Sequence, residues 1–368
     1  MFLKSELLYV ALMAIFVAVG FVVAKNKSRF LLATGIATIA LQGGLWIGPF
    51  NFDMTITYFV FGLLFVWNFI GQEGRTQLKG PTPVLFYFWL GVVLFGLLAV
   101  MPAINKNNAL SGFAALALDL MIAVAVLKAL RTPKDIKLMI GALIGVLLFQ
   151  GALATIQYKF PFFKIGVIDK VQSYMWWRTK GTFFHANELG MYMLLSIPLA
   201  IRVLLGAVMK RDRKWIQFTG FALLVAGIGL FGTTSRGSWI GLTAGCLFML
   251  GFDFFKSGKA SKRLKIILKR LVAPAMILLV VFSIKFGPRL MDRLFYSNAD
   301  DMVKGRIEYQ NEAIEIIKQN PVLGVGYKNY LYYTEKFFVH NLYLLIASEN
   351  GIHSLIFFYG FLESCLFI

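Results

Sequence analysis

Long apolar runs alternate with short polar punctuation along the whole chain. Runs near 7–24, 31–49, 55–72, 84–103, 109–129, 136–156, 187–207, 215–233, 238–255, 270–286 and 352–368 each approach the ~20 residues that carry a helix across a bilayer's hydrocarbon core. About eleven spans are predicted. No barrel-like alternation of apolar and polar positions runs through them, and a helix satisfies its own backbone hydrogen bonds in lipid. The pattern therefore predicts an all-α fold, a polytopic transmembrane helical bundle. Between 287 and 339 the hydrophobicity lapses into a long loop, in which "GRIEYQNEAIEIIKQNP" reads as an amphipathic helix stopping at Asn320–Pro321. At ~100° per residue Ile307, Ile314 and Ile317 share one face, and Arg306 falls about 20° from Ile317, bordering the side expected to pack. "GVGYKN" follows, its glycines permitting a tight loop.

Composition agrees: 58% of the 368 residues are hydrophobic and only 15% charged, outside the range of soluble domains. Neither a repeat nor a low-complexity tract interrupts the pattern, so residues 1–368 read as a single membrane domain. The first span carries its positive cluster after it rather than before it, and reads as an anchor, not a signal peptide.

The net charge of +19 would point to nucleic acid in a soluble protein, so its placement decides its meaning. Alternate short loops hold twenty basic residues, from Lys25 through the run Lys256–Arg270, while the opposite short loops hold only Lys106 and Arg236. The positive-inside rule makes the rich set cytoplasmic and the N-terminus external. The charge is mostly topology, and no nucleic-acid partner is expected. Cys246 and Cys365 both fall inside apolar spans, which excludes a disulfide framework and a Cys-based metal site.

This topology gathers three polar segments on the outer face: "WWRTKGTFFHANELG" (176–190), "TTSRGS" (233–238) and the 287–339 loop leading into "HNLYLLIASENG" (340–351). Arg236 is a permanent guanidinium at a membrane boundary, so it needs an anion or a set of carbonyls. Its planar fork suits phosphate oxygens, the alternative being an anchor that snorkels to headgroups. Arg178 invites the same two readings, with Trp176 and Trp177 favouring an interfacial belt. Arg306, taken alone, is a solvated charge. His340 opens an apolar helix on the outer side, and imidazole is the side chain best suited to accept a proton near neutral pH. His185 fits a helix cap, and His353 lies inside a span. Asp119 sits mid-span, where a hydrogen bond within the bundle is its ordinary use. Asp300–Asp301 lacks the further ligands a metal would need, so neither a metal nor another cofactor is expected. Signatures of zinc proteases, serine hydrolases and P-loop enzymes are missing.

Taken in order, "RTKGTFFHANELG", "TTSRGSWIGL", "GRIEYQNEAIEIIKQNPVLGVGYKNY" and "HNLYLLIASENG" resemble the signature segments of the O-antigen ligase and polymerase family, over roughly residues 176–351. The resemblance implies a GT-C-like architecture. It also implies metal-independent transfer of a glycan from a polyprenyl (undecaprenyl) pyrophosphate carrier to an acceptor hydroxyl on a saccharide, lipid A-core or other molecule. The enzyme would lie in the bacterial cytoplasmic (inner) membrane among its lipids, with the active site on the periplasmic or extracellular face. Carried over motif by motif, Arg236 and Arg306 would bind the donor pyrophosphate, Arg178 would join them, and His340 would be the catalytic base. Family members continue through further spans after the "HN" helix, whereas this sequence stops at Ile368. The rival reading is a membrane transporter or flippase of lipid-linked or polysaccharide substrate, whose site would lie near the bilayer midplane on broken helices, often with repeat symmetry. The clustering of polar residues on one face weighs against it.

Overall fold

The structure is a computed structural model and describes residues 14–39, 44–47, 52–70, 82–160, 178–183, 185–257, 299–334, 339 and 341–366. Most of the apolar runs become helices: α1 (Ala14–Val23), α2 (Lys27–Ile39), α3 (Ile56–Ile70), α4 (Thr82–Leu98), α5 (Lys106–Ala129), α6 (Pro133–Lys159), α7 (Ala186–Lys210), α8 (Arg213–Thr233), α9 (Arg236–Ser257), α10 (Ala299–Gln319) and α11 (Leu342–Leu366). Among the described residues α5, α6, α7 and α8 are long and apolar enough to cross a membrane, and α1, α3 and α4 supply shorter apolar stretches. Large apolar side chains point outward, with Leu195 71% and Ile240 72% exposed, a surface suited to lipid and not to water. The run 270–286 lies outside the described residues.

One expected span is corrected. The 31–49 run is not a continuous helix: α2 ends at Ile39, and strand β1 (Gly44–Ile47) pairs antiparallel with β2 (Phe52–Thr55), Ile47 opposite Phe52. The sequence "GGLWIGPFNFDMT" explains this, because Gly43–Gly44 weaken a helix and Gly48–Pro49 demand a turn. Among the described residues the fold is thus helical with one small hairpin.

The chain folds as two compact units, residues 1–6, 33–43 and 137–297 in the first, and 7–32, 44–136 and 298–368 in the second. In the first, α6 to α9 surround a core that includes Leu147, Leu189, Met193, Ala200 and Ala226. Small residues let α6 and α8 approach backbone to backbone, since a Cβ on Gly151 would lie 2.8 Å from Ala226 Cα.

In the second unit α11 is two helices rather than one, because Gly351 takes φ 81°, ψ 166°. Tyr343 and Phe358 bring their rings to 6.3 Å, although an unbroken helix would hold their Cα atoms about 22 Å apart. The arms 342–350 and 352–366 therefore fold back on each other as a helical hairpin with Gly351 at its tip. The second arm runs antiparallel to α4: His353 stacks on Phe95 at 5.2 Å, Phe357 fills the space over Gly91, and Phe88 fills that over Gly360.

Candidate active site

In the first unit the site grows from the turn between α8 and α9. Thr233 ends α8 by donating its hydroxyl to Leu230 O (2.7 Å), and Thr234 takes the left-handed conformation (φ 48°) while its N–H closes on Phe231 O (3.0 Å). Ser235 N–H donates to Thr233 Oγ1 (3.3 Å), and Ser238 donates to Ser235 Oγ (2.9 Å). Arg236 follows as the first residue of α9, half-buried, at the end of the helix where free N–H groups and the positive end of the macrodipole favour an anion. Beside it Gly237 faces open space, and Thr234 Oγ1 is buried without a hydrogen-bond partner.

The strip that begins at Arg178 lies against this turn. Arg178 Nε donates to Thr233 O (2.8 Å) and its Nη2 to Asn187 Oδ1 on α7, while Thr179 N–H donates to Gly232 O (2.9 Å). Carbonyls that end α8 are thereby satisfied by a segment some fifty residues earlier in the chain. Gly232 leaves room for Thr179, since a Cβ there would meet Thr179 Oγ1 at 2.7 Å and push that side chain aside. Arg178 spends at least two of its guanidinium's donors on protein acceptors, so it braces the turn as well as charging it. The arrangement offers fixed positive charge, hydroxyls and an approachable backbone at one spot.

In the second unit the third and fourth motifs meet. α10 buries Ala313 and Ile316, whereas Ile307 and Ile314 are exposed (52% and 39%), which corrects the expected packing face. The cause is Tyr330, fully buried, which packs with small Ala313 and Ile316 and donates its hydroxyl to Tyr309 O (3.3 Å). Arg306 lies on α10, within about 20° of Ala313 in helical register. The glycine-rich loop then crosses the hairpin tip. Val325 N–H donates to Ser348 O (2.9 Å), Gly326 N–H to Glu349 O (2.8 Å), and Ile352 N–H to Pro321 O (2.9 Å). Gly324 and Gly326 both have positive φ and abut, respectively, Glu349 and the Ala99–Ala103 backbone.

Glu349 stands behind this loop, 4% exposed, with Tyr330 N–H donating to its Oε1 (3.4 Å). Burial pushes its carboxyl up to about 7, against the lowering effect of the Lys328 and Tyr330 backbone N–H groups and the Lys328 charge. His340 lies outside the described residues. Its neighbour Asn341 caps the first arm of α11, with Oδ1 accepting from Tyr343 N (3.0 Å) and Leu344 N (3.2 Å).

The structure thus brings Arg178 and the Arg236 turn together in one unit, and Arg306 belongs to the other. Three residues with competing readings find structural roles. His185 occupies the N-cap of α7, its N–H reaching Glu188 Oε2 (3.4 Å), and His353 stacks on Phe95. Asp119 accepts a hydrogen bond from the Tyr58 hydroxyl (3.4 Å). Two residues that sequence reasoning missed, Gln150 and Gln157, bind the Arg178 strip from α6. Polar amides in an otherwise apolar helix, seven residues apart and so on one face, were the signal that could have found them.

Apolar helices with outward-facing leucine, isoleucine and phenylalanine, joined to polar motifs at helix ends, define a polytopic helical membrane protein. Residues 221–359, from within α8 to within α11, match the family model described as O-Antigen ligase. Over that stretch the chain is similar to the O-antigen ligase family. Arg236, Arg306 and His340 fall inside the match, and Arg178 precedes it. No curated protein and no solved structure matches significantly.

Proposed function

We propose that this protein transfers a glycan from a polyprenyl pyrophosphate carrier to an acceptor hydroxyl at the outer face of the bacterial cytoplasmic membrane, as an O-antigen ligase or polysaccharide polymerase. The observation that carries the reading is the α8–α9 turn, where Arg236, the start of α9 and the Arg178 strip put fixed positive charge beside an open glycine, within a stretch matching the O-antigen ligase family. Pyrophosphate is a good leaving group, so the site chiefly has to stabilise the negative charge that develops on it and remove a proton from the nucleophile. In this reading Arg236, Arg306 and Arg178 hold the pyrophosphate without a metal. The acceptor oxygen attacks the anomeric carbon, the bond from that carbon to the phosphate oxygen breaks, and His340 takes the hydroxyl proton. One polytopic membrane domain, GT-C-like, with residues 287–339 on the outer side, belongs to the same proposal.

The test is purified protein with lipid-linked glycan and an acceptor, without any gradient. A new glycosidic bond and released polyprenyl pyrophosphate support the transferase. Uptake of substrate into vesicles with no new bond would replace it by a transporter.

A further inference from the structure

Resting on the donor-site reading above, we infer that Gln150 and Gln157 of α6 are positioning residues for the donor pyrophosphate, acting through the strip 178–182. Each amide uses both of its ends on this strip. Gln157 Oε1 accepts from Gly181 N (2.8 Å) and Lys180 N (3.3 Å), and its Nε2 donates to Gly181 O (2.9 Å). Gln150, fully buried, donates from Nε2 to Thr182 Oγ1 (2.7 Å) and accepts from Thr182 N (3.2 Å).

The strip is consequently held residue by residue. Residues 180, 181 and 182 are tied to α6, while 178 and 179 are tied to the end of α8 through Thr233 O, Gly232 O and Gly229 O. Irregular backbone inside an apolar bundle needs every polar group matched, and the two glutamines supply what a strand or helix ladder otherwise would. Gly181 (φ +60°) completes the fit, because a Cβ there would lie 2.2 Å from Gln150 Oε1. The register of this strip fixes where the Arg178 guanidinium meets Thr233, and Thr233 stands three residues before Arg236. An error of about an ångström in placing a charged group typically costs on the order of 10²-fold in rate.

Glutamine suits this task better than its neighbours in size. Leucine fills the same space with no polar atoms. Glutamate keeps the acceptor oxygens for the 180 and 181 N–H groups but sets a second oxygen against Gly181 O. Strip placement should therefore degrade in the order Gln157, Gln157→Glu, Gln157→Leu.

The experiment measures binding of geranylgeranyl pyrophosphate and of geranylgeraniol to the purified full chain in nanodiscs, for wild type, Arg236→Ala, Gln157→Leu, Gln157→Glu and Gly181→Ala, with the melting temperature of each. Gln157→Leu and Gly181→Ala should weaken the pyrophosphate roughly tenfold or more and leave the alcohol unchanged. Gln157→Glu should recover part of the loss. A purely structural role would lower the melting temperature without this selective loss of the pyrophosphate. If Gln157→Leu does not fold, Gly181→Ala decides alone. Pyrophosphate binding that Arg236→Ala abolishes and both strip variants retain overturns this inference and leaves the donor site standing. A wild type that prefers the pyrophosphate no more than the alcohol sinks the donor site and this inference together.

Discussion

Replacing Gly351 with alanine should cost this protein a large share of its stability, and the loss can be worked from the hairpin tip. The backbone there takes φ 81°, ψ 166°, a region essentially reserved to glycine, and forcing a side chain into it costs about 1–3 kcal/mol. The added Cβ would also sit 2.0 Å from Val322 O, so the loop must retreat. Retreat loosens three bonds that clamp loop to hairpin, Val325 N–H to Ser348 O, Gly326 N–H to Glu349 O and Ile352 N–H to Pro321 O, each contributing about 1 kcal/mol net. The sum is about 4–6 kcal/mol, roughly a thousandfold or more in the folding equilibrium and comparable with much of a typical domain's margin. Gly206 on α7 is the control: nothing lies within 4 Å of a Cβ there, so Gly206→Ala should be neutral or stabilising by up to ~1 kcal/mol. Denaturant unfolding of both variants in the same detergent measures the difference. Gly351→Ala as stable as Gly206→Ala would refute the sharp tip and with it the fold-back of α11.

Three further outcomes follow from the site. Arg236→Ala and Arg306→Ala should each severely weaken use of the pyrophosphate-linked donor in a transfer assay, with Arg236→Lys recovering only part because the bidentate fork is lost, and EDTA should leave the wild type active. Full activity of both alanine variants, or abolition by EDTA that Mg²⁺ restores, contradicts the charge logic. His340→Ala should lower turnover about 10²–10⁴-fold with donor affinity little changed, whereas His185→Ala and His353→Ala should cost far less; a normally active His340→Ala removes the base from the proposal. Glu349 makes folding pH-dependent with a defined sign: its carboxyl is raised to about 7, so the folded state holds a proton that the unfolded chain releases above its ordinary value of 4.5. This contribution is complete below that value and is lost as pH rises through about 7, and Glu349→Gln should flatten that part of the stability profile between pH 5 and 8. An unchanged slope in the variant would show that the carboxyl is not held in its neutral form.

How far the sequence reaches depends on the range of the interaction that decides each feature. Helices α5 to α8 follow from local hydrophobicity and from caps such as Asn105 and Asp212, each accepting from the N–H three residues on, so their ends lie within a few residues of the expected ones. The β1–β2 hairpin is equally local, written in Gly43–Gly44 and Gly48–Pro49, but apolar content alone over 31–49 does not distinguish it from a span. The packing of α10 was not local. Isoleucine spacing chose Ile307 and Ile314, but the small Ala313 is what Tyr330 can reach, and Tyr330 arrives only after the loop has turned at Gly324 and Gly326. The fold-back of α11 and the meeting of Arg178 with Thr233 are longer-range still. One needs the Val322 carbonyl against Gly351, the other a strip held by α6.

That meeting also explains why two arginines, not one, belong at the α8–α9 turn. A helix end concentrates unsatisfied carbonyls and about half a negative charge, so the close of α8 would by itself repel a phosphate from the place where α9 attracts one. Arg178 answers the first problem, because its Nε takes Thr233 O and its charge offsets the α8 terminus. Thr179 takes Gly232 O as well. With α8 neutralised, Arg236 and the positive end of α9 set the sign of the turn. The two residues then differ in kind: Arg178 works on the protein's own acceptors, and in the proposed reaction Arg236, at the first position of α9 beside the open Gly237, would turn its charge to the donor's pyrophosphate.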